Sequence, residues 1–171
     1  MMLLLAGLAL ASSPWADLDA DIRAEQVVPA PPEEVYAHLI DLRTLERIFP
    51  ERCLSEVRVT EPPKGLGATV ELTYHAAAMN RRLLGTLVEA IEPTGPGAGR
   101  IDIDHASARG FVTRFLLHPE GEEATRVEMT SYLNPPPWPF RRMFYTRVRP
   151  AWTQCYHDAL EGLAEVVGGD G

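Results

Sequence analysis

The chain has 171 residues, 46% of them hydrophobic and 23% charged, which suits one domain with a substantial core. Its formal net charge of −8 excludes global electrostatic attraction to nucleic acid. The only cysteines, Cys53 and Cys155, imply no disulfide framework; they read as two small buried thiols, and a bridge between them cannot be argued from spacing.

Met2 to Ala11 is an uninterrupted apolar run that includes Leu3, Leu4, Leu5, Leu8 and Leu10. It is too short to cross a bilayer, which takes about 20 residues. As a signal peptide it is poorly formed, because no basic residue precedes it and the first is Arg23. Residues 1–19 are read as an apolar extension and 20–171 as one domain. A cytoplasmic location is expected, with export or membrane association through the extension as the alternative.

A first strand is predicted over Asp21–Val28. Pro31-Pro32-Glu33-Glu34 then opens a helix: proline suits the first helical turn, and the glutamates oppose the positive end of the dipole. Val35, Leu39 and Leu42 define its buried face. A second short helix covers Thr44–Ile48 and stops before Pro50. Six more strands are predicted, at Leu54–Thr60, Ala68–Ala77, Arg82–Ile91, Arg100–Ser107, Phe111–His118 and Thr125–Leu133. The breaks between them, among them Met79-Asn80, Arg109-Gly110 and Pro119-Glu120-Gly121, are mostly of hairpin length, so the sheet should be an antiparallel meander.

Alternation assigns the faces. Val70, Leu72, Tyr74 and Ala76 oppose Thr69, Glu71, Thr73 and His75. Ile101, Ile103 and His105 oppose Arg100, Asp102 and Asp104. Phe111, Thr113, Phe115 and Leu117 share one face, and Val127 and Met129 oppose Arg126 and Glu128. One side of the sheet is apolar and needs a cover. The prolines 135–137 end the sheet, and a helix is predicted from Pro139 to Val167. Phe144, Val148, Trp152, Cys155, Ala159, Leu163 and Val166 form its apolar stripe. Pro150 should kink or interrupt it. Such a helix measures roughly 40 Å, enough to cross seven strands.

The stretch Val28-Pro29-Ala30-Pro31-Pro32-Glu33-Glu34-Val35-Tyr36 with Leu39 and Asp41, then Phe49-Pro50, the turn Gly65-Leu66-Gly67-Ala68 and Ala124-Thr125-Arg126-Val127 follow one another in register. With the terminal helix, this pattern resembles the helix-grip superfamily of START lipid-transfer domains, pollen-allergen-like proteins and polyketide cyclase/dehydrase-like proteins, over residues 20–167. The resemblance implies an α+β fold in which a curved seven-stranded antiparallel sheet, two short helices and one long C-terminal helix enclose an apolar cavity. Phe49-Pro50 with Cys53, Ser55 and Val57 also resembles the coenzyme-Q-binding START-like proteins, with one residue more between proline and cysteine.

The expected ligand-binding residues are the inward positions Val70, Leu72, Tyr74, Ile101, Ile103, His105, Phe111, Thr113, Phe115, Val127, Met129 and Ser131. Phe144, Val148 and Trp152 join them from the helix. His105 and Tyr74 are polar groups aimed into an apolar space, suited to anchoring a ligand head group or to proton transfer. Asp102 and Asp104 face away from His105, so the three cannot converge on a metal, and both acids are read as solvated. No metal site, cofactor or nucleotide loop is expected; the glycines from Gly95 to Gly99 lead into a strand, not a helix.

Between Trp138 and Trp152 lie Arg141, Arg142, Arg147 and Arg149 and no acid, which leaves the rest of the chain with 12 basic and 24 acidic residues, a net −12. Trp138, Phe140, Phe144 and Tyr145 interleave with the arginines. The segment is either a solvated helix face or a surface for transient contact with anionic lipid. Three functions stay open: a non-catalytic binder or carrier of a lipid, polyketide or isoprenoid quinone; a polyketide cyclase/dehydratase-like enzyme using His105 and Tyr74; and an interaction module that regulates a partner.

Overall fold

The computed structural model describes residues 22–76, 79–105, 111–132, 139 and 141–169. The elements run β1 (Ile22–Val28), α1 (Pro32–Leu39), α2 (Thr44–Ile48), β2 (Leu54–Val59), β3 (Thr69–Ala76), β4 (Met79–Ile91), β5 (Gly99–His105), β6 (Val112–Pro119), β7 (Thr125–Tyr132), α3 (Arg141–Met143), a π-helical segment (Phe144–Val148) and α4 (Arg149–Gly169). The N-terminal extension, the proline run, Trp138 and Phe140 lie outside the described residues.

All seven strands form one antiparallel sheet in the order β1-β7-β6-β5-β4-β3-β2. Each hairpin joins sequence neighbours, as the short turns require, and β1 closes onto β7 with Gln26 opposite Val127. Bulges lie between Ser55 and Arg58 on β2 and between Leu87 and Glu89 on β4, where an extra residue bends a strand and increases its twist. Met79-Asn80, expected as a break, belongs to β4: Asn80 pairs with His75 and Met79 with Ala76.

The helices cover the concave face. Proline in the first turn and Glu33 and Glu34 beside it open α1 as expected. In α4, Trp152, Tyr156, Ala159, Leu160, Leu163 and Val167 are buried against the sheet, joined by Phe144 and Val148. The stripe ends at Val167 and not at Val166, which is half-buried. The helix is interrupted ahead of Pro150, as expected: the chain widens to π-helical pitch over Phe144–Val148 and restarts at Arg149, which places the proline in the first turn of α4. Gly162 lets α4 touch α2: a Cβ there would lie 2.4 Å from the Ile48 carbonyl oxygen.

Two readings of the sequence are corrected. Cys53 and Cys155 are not free thiols; they form a disulfide that ties the turn after α2 to α4. Asp102 is not solvated. It is only 1% exposed and pairs across the ladder with Arg114, itself 4% exposed, at 2.9 and 3.0 Å, while Arg100 adds a bond of 2.6 Å. Burial pushes this carboxyl up, but the two guanidinium groups outweigh it and hold it below the usual carboxylate range. Among the described residues, no helix is long and apolar enough to cross a membrane.

Candidate functional site

The interior of the grip is polar at one place. His105 ends β5, Thr113 lies beside it on β6, Ser131 follows on β7, and Tyr156 reaches over from α4. His105 Nε2 lies 3.1 Å from Thr113 Oγ1, and Thr113 Oγ1 lies 3.2 Å from Ser131 Oγ. The Ser131 hydroxyl is also hydrogen-bonded to the Tyr156 phenol. These four groups are all buried. Their row is a consequence of register: Thr113 sits opposite both Ile103 and Ser131, so inward side chains of β5, β6 and β7 meet.

An aromatic wall stands beside that row. The His105 ring stacks on Phe111 at 4.4 Å, Phe111 stacks on Trp152 at 5.3 Å, and Trp152 meets Tyr74 edge-on at 4.8 Å. Phe49 completes it, edge-on to both Tyr74 and Tyr156 at 6.4 Å. Among the described residues, three polar atoms of this wall, Tyr74 Oη, His105 Nδ1 and Trp152 Nε1, are buried without a hydrogen-bond partner. Burial holds the His105 imidazole down at about 4, so it is neutral at physiological pH. Burial likewise pushes both the Tyr74 and Tyr156 phenols up, which keeps them protonated. The site therefore offers hydrogen bonds and no net charge.

A small apolar void adjoins this row. Among the described residues it measures about 20 Å³, enough for one water molecule and far below the roughly 300 Å³ of an ordinary ligand site. Leu72, Tyr74, Ile103, His105, Thr113 and Met129 line it, all inward positions on the strands. Leu45, Phe49, Leu54 and Tyr156 line it too, and none of these four is among the expected residues. Val70, Ile101, Phe111, Phe115, Val127, Ser131, Phe144, Val148 and Trp152 are buried in the same core without bordering this space. His105 and Tyr74 are not bonded to each other, since both Nδ1 and Oη lack partners and Nε2 turns to Thr113. On the helix side, Arg142, Arg147 and Arg149 are exposed, as is Met143, while Phe144 and Val148 point inward.

The comparisons with known proteins agree with this architecture. A family model described as polyketide cyclase/dehydrase and lipid transport matches residues 19–168. Among solved structures, a protein from Thermus thermophilus is 23% identical with a TM-score of 0.69, covering 87% of this chain and 97% of its own. The Zhui aromatase/cyclase from a Streptomyces species is 14% identical with a TM-score of 0.62, over 86% of this chain and 92% of its own. Norcoclaurine synthase from Thalictrum flavum, in complex with dopamine and hydroxybenzaldehyde, is 10% identical with a TM-score of 0.54, over 85% and 84%. No curated protein matches the chain.

Proposed function

The chain belongs to the polyketide cyclase/dehydrase and lipid transport family, and from that premise we propose that it binds a neutral, largely apolar small molecule inside the grip, without catalysis. The observation that carries this reading is the set of orphaned polar atoms on an aromatic wall: Tyr74 Oη, His105 Nδ1 and Trp152 Nε1. A buried donor or acceptor without a partner costs about 1–3 kcal/mol. Tyr74 and His105 border the small void, where a ligand hydroxyl would partner them, and Trp152 stands behind them on the same aromatic wall. A charged ligand is disfavoured, because nothing in the site offsets its desolvation. The void is water-sized, so the ligand enters by displacing wall side chains. Solved neighbours that include an aromatase/cyclase and a synthase holding two small aromatic molecules suit an aromatic wall.

Binding is favoured over cyclase chemistry because His105 and Tyr74 form no acid–base pair. An oxidising compartment is favoured over the cytoplasm, since bridges such as Cys53–Cys155 persist there. The exposed Arg142, Arg147 and Arg149 beside buried Phe144 and Val148 suit contact with anionic lipid during uptake of the ligand.

The experiment is a titration with 2-naphthol and with naphthalene, alongside native mass spectrometry of protein purified from its own host. The expected results are saturable binding of 2-naphthol, roughly tenfold weaker binding of naphthalene, and loss of that difference in His105→Phe and Tyr74→Phe. Absence of saturable binding by either probe, together with no co-purified small molecule, would overturn the reading.

A further inference from the structure

The outer face of the same sheet edge carries a second constellation, whose side chains make no part of the interior site. Leu54 and Tyr74 face each other across the β2–β3 ladder and are both buried, so the next residues, Ser55 and His75, point to the opposite, outer side. Asn80 lies directly opposite His75 on β4. Ser55 Oγ is 2.6 Å from His75 Nε2, and His75 Nδ1 is 2.8 Å from Asn80 Oδ1. The chemistry of these atoms fixes the proton positions. An amide oxygen only accepts, so Nδ1 carries the hydrogen and donates it to Asn80. Nε2 is then left with its lone pair facing the Ser55 hydroxyl, which donates to it. A hydroxyl nucleophile, an imidazole base and a side chain that fixes the tautomer thus lie in line, within the distances such a relay needs.

Two further features hold the row in place. Glu56, next to Ser55, has φ of 53°, a left-handed conformation uncommon for a residue with a side chain, and sits in the bulge of β2 that re-aims its neighbours. Thr73 Oγ1 secures it by donating to Glu56 Oε2 at 2.8 Å. The His75 backbone N–H donates to the Cys53 carbonyl at 2.9 Å, and Cys53 is bridged to α4. Ser55 and His75 are half-buried and open to solvent on one side.

We propose that Ser55, His75 and Asn80 form an acyl-transfer site on the outer face of the sheet, acting on small activated esters or thioesters. Ser55 Oγ attacks the acyl carbon and forms an Oγ–C bond while its proton passes to His75 Nε2. The bond from the acyl carbon to the leaving oxygen or sulfur breaks, and the leaving group takes the proton from the imidazolium. Water then attacks the acyl-serine, His75 accepts its proton and returns it to Ser55 Oγ, and a carboxylic acid is released. The geometry assigns a nucleophile, a base and a positioning amide and, among the described residues, no donor pair for the acyl oxygen. The substrate class is accordingly one already activated by a weakly basic leaving group, such as aryl esters.

The test uses the full chain with its disulfide intact. Release of 4-nitrophenolate from 4-nitrophenyl acetate is followed for wild type, Ser55→Ala, Asn80→Ala and Asn80→Asp, each checked for native circular dichroism. A reaction with diisopropyl fluorophosphate is mapped by peptide mass spectrometry. The expected results are saturable hydrolysis, a fall of roughly 100-fold in Ser55→Ala, and a single phosphorylated residue at Ser55. Asn80→Ala should lower kcat about tenfold at unchanged KM, with recovery in Asn80→Asp, as a positioning role requires. Hydrolysis by Ser55→Ala at the wild-type rate, or labelling at residues other than Ser55, would overturn the proposal. Binding of 2-naphthol should be the same in Ser55→Ala and wild type, so the fate of this site is separable from that of the interior one.

Discussion

Acidification should remove a defined share of the stability through one side chain. His105 is 5% exposed, and burial holds its imidazole at about 4 against an ordinary value of 6.5. Among the described residues the groups around it are neutral: Thr113 on β6, Phe111 stacked on the ring, and the Tyr74 and Tyr156 phenols that border the same void. Below pH 6.5 the unfolded chain takes up a proton at this position, whereas the fold does so only near pH 4. The unfolded state thus binds more protons across that window. The contribution is fully present above pH 6.5 and is lost as the pH falls toward 4. Between pH 7 and pH 5 the loss works out at about 2 kcal/mol. His105→Gln removes the titration and keeps a polar side chain beside Thr113. Urea unfolding of both proteins at the two pH values isolates the effect, since other groups titrate alike in both. Wild type should lose about 2 kcal/mol more than the variant on acidification. Equal losses would refute the reasoning, because the imidazole would then be solvated in the fold.

Removing the disulfide as Cys53→Ser with Cys155→Ser opens a loop with a sequence separation of 102 residues and should cost about 4 kcal/mol in urea unfolding; a loss under about 1 kcal/mol would show that the bridge is not a staple. Gly162→Ala drives a Cβ against the Ile48 carbonyl and should cost about 1–3 kcal/mol, whereas Gly168→Ala, with open space around it, should be nearly neutral in the same thermal melt. Changing Arg141, Arg142, Arg147 and Arg149 to Gln should abolish co-sedimentation with anionic vesicles at low salt; equal binding by wild type and variant would reduce this segment to a solvated helix face.

The architecture was legible because each element repeats its signal many times. Period-two alternation placed Tyr74, Ile103, His105, Thr113 and Met129 inward, and the structure finds them there. What escaped were properties of contact between elements. Tyr156 stands four residues after Trp152 and four before Leu160, on the same helix face, but a stripe traced through Cys155 and Ala159 passes it by. Phe49 and Leu54 flank a turn without periodicity, so no pattern marked them as walls of the void. Asp102 reads as a solvated acid until the ladder sets Arg114 opposite it. The size of the void depends on how the Phe49, Tyr74 and Trp152 rings interlock, which no spacing of residues encodes.

The disulfide joins these observations mechanically. Its Cys155 end immediately precedes Tyr156, the helix's contribution to the buried hydroxyl row, and lies one turn after Trp152, whose indole nitrogen is an orphan. Its Cys53 end precedes Leu54, which lines the void, and Ser55, which faces out. Because strand side chains alternate, β2 and β3 present Leu54 and Tyr74 to the interior and Ser55 and His75 to the exterior from the same backbone. A displacement that enlarges the interior by moving this sheet edge away from α4 therefore also disturbs the outer row, and the Cys53–Cys155 bridge opposes both. A ligand too large for one water-sized void must then be accommodated chiefly by side-chain rotation of Phe49, Tyr74 and Trp152, not by separation of β2 from α4, which favours flat aromatic molecules over bulky ones.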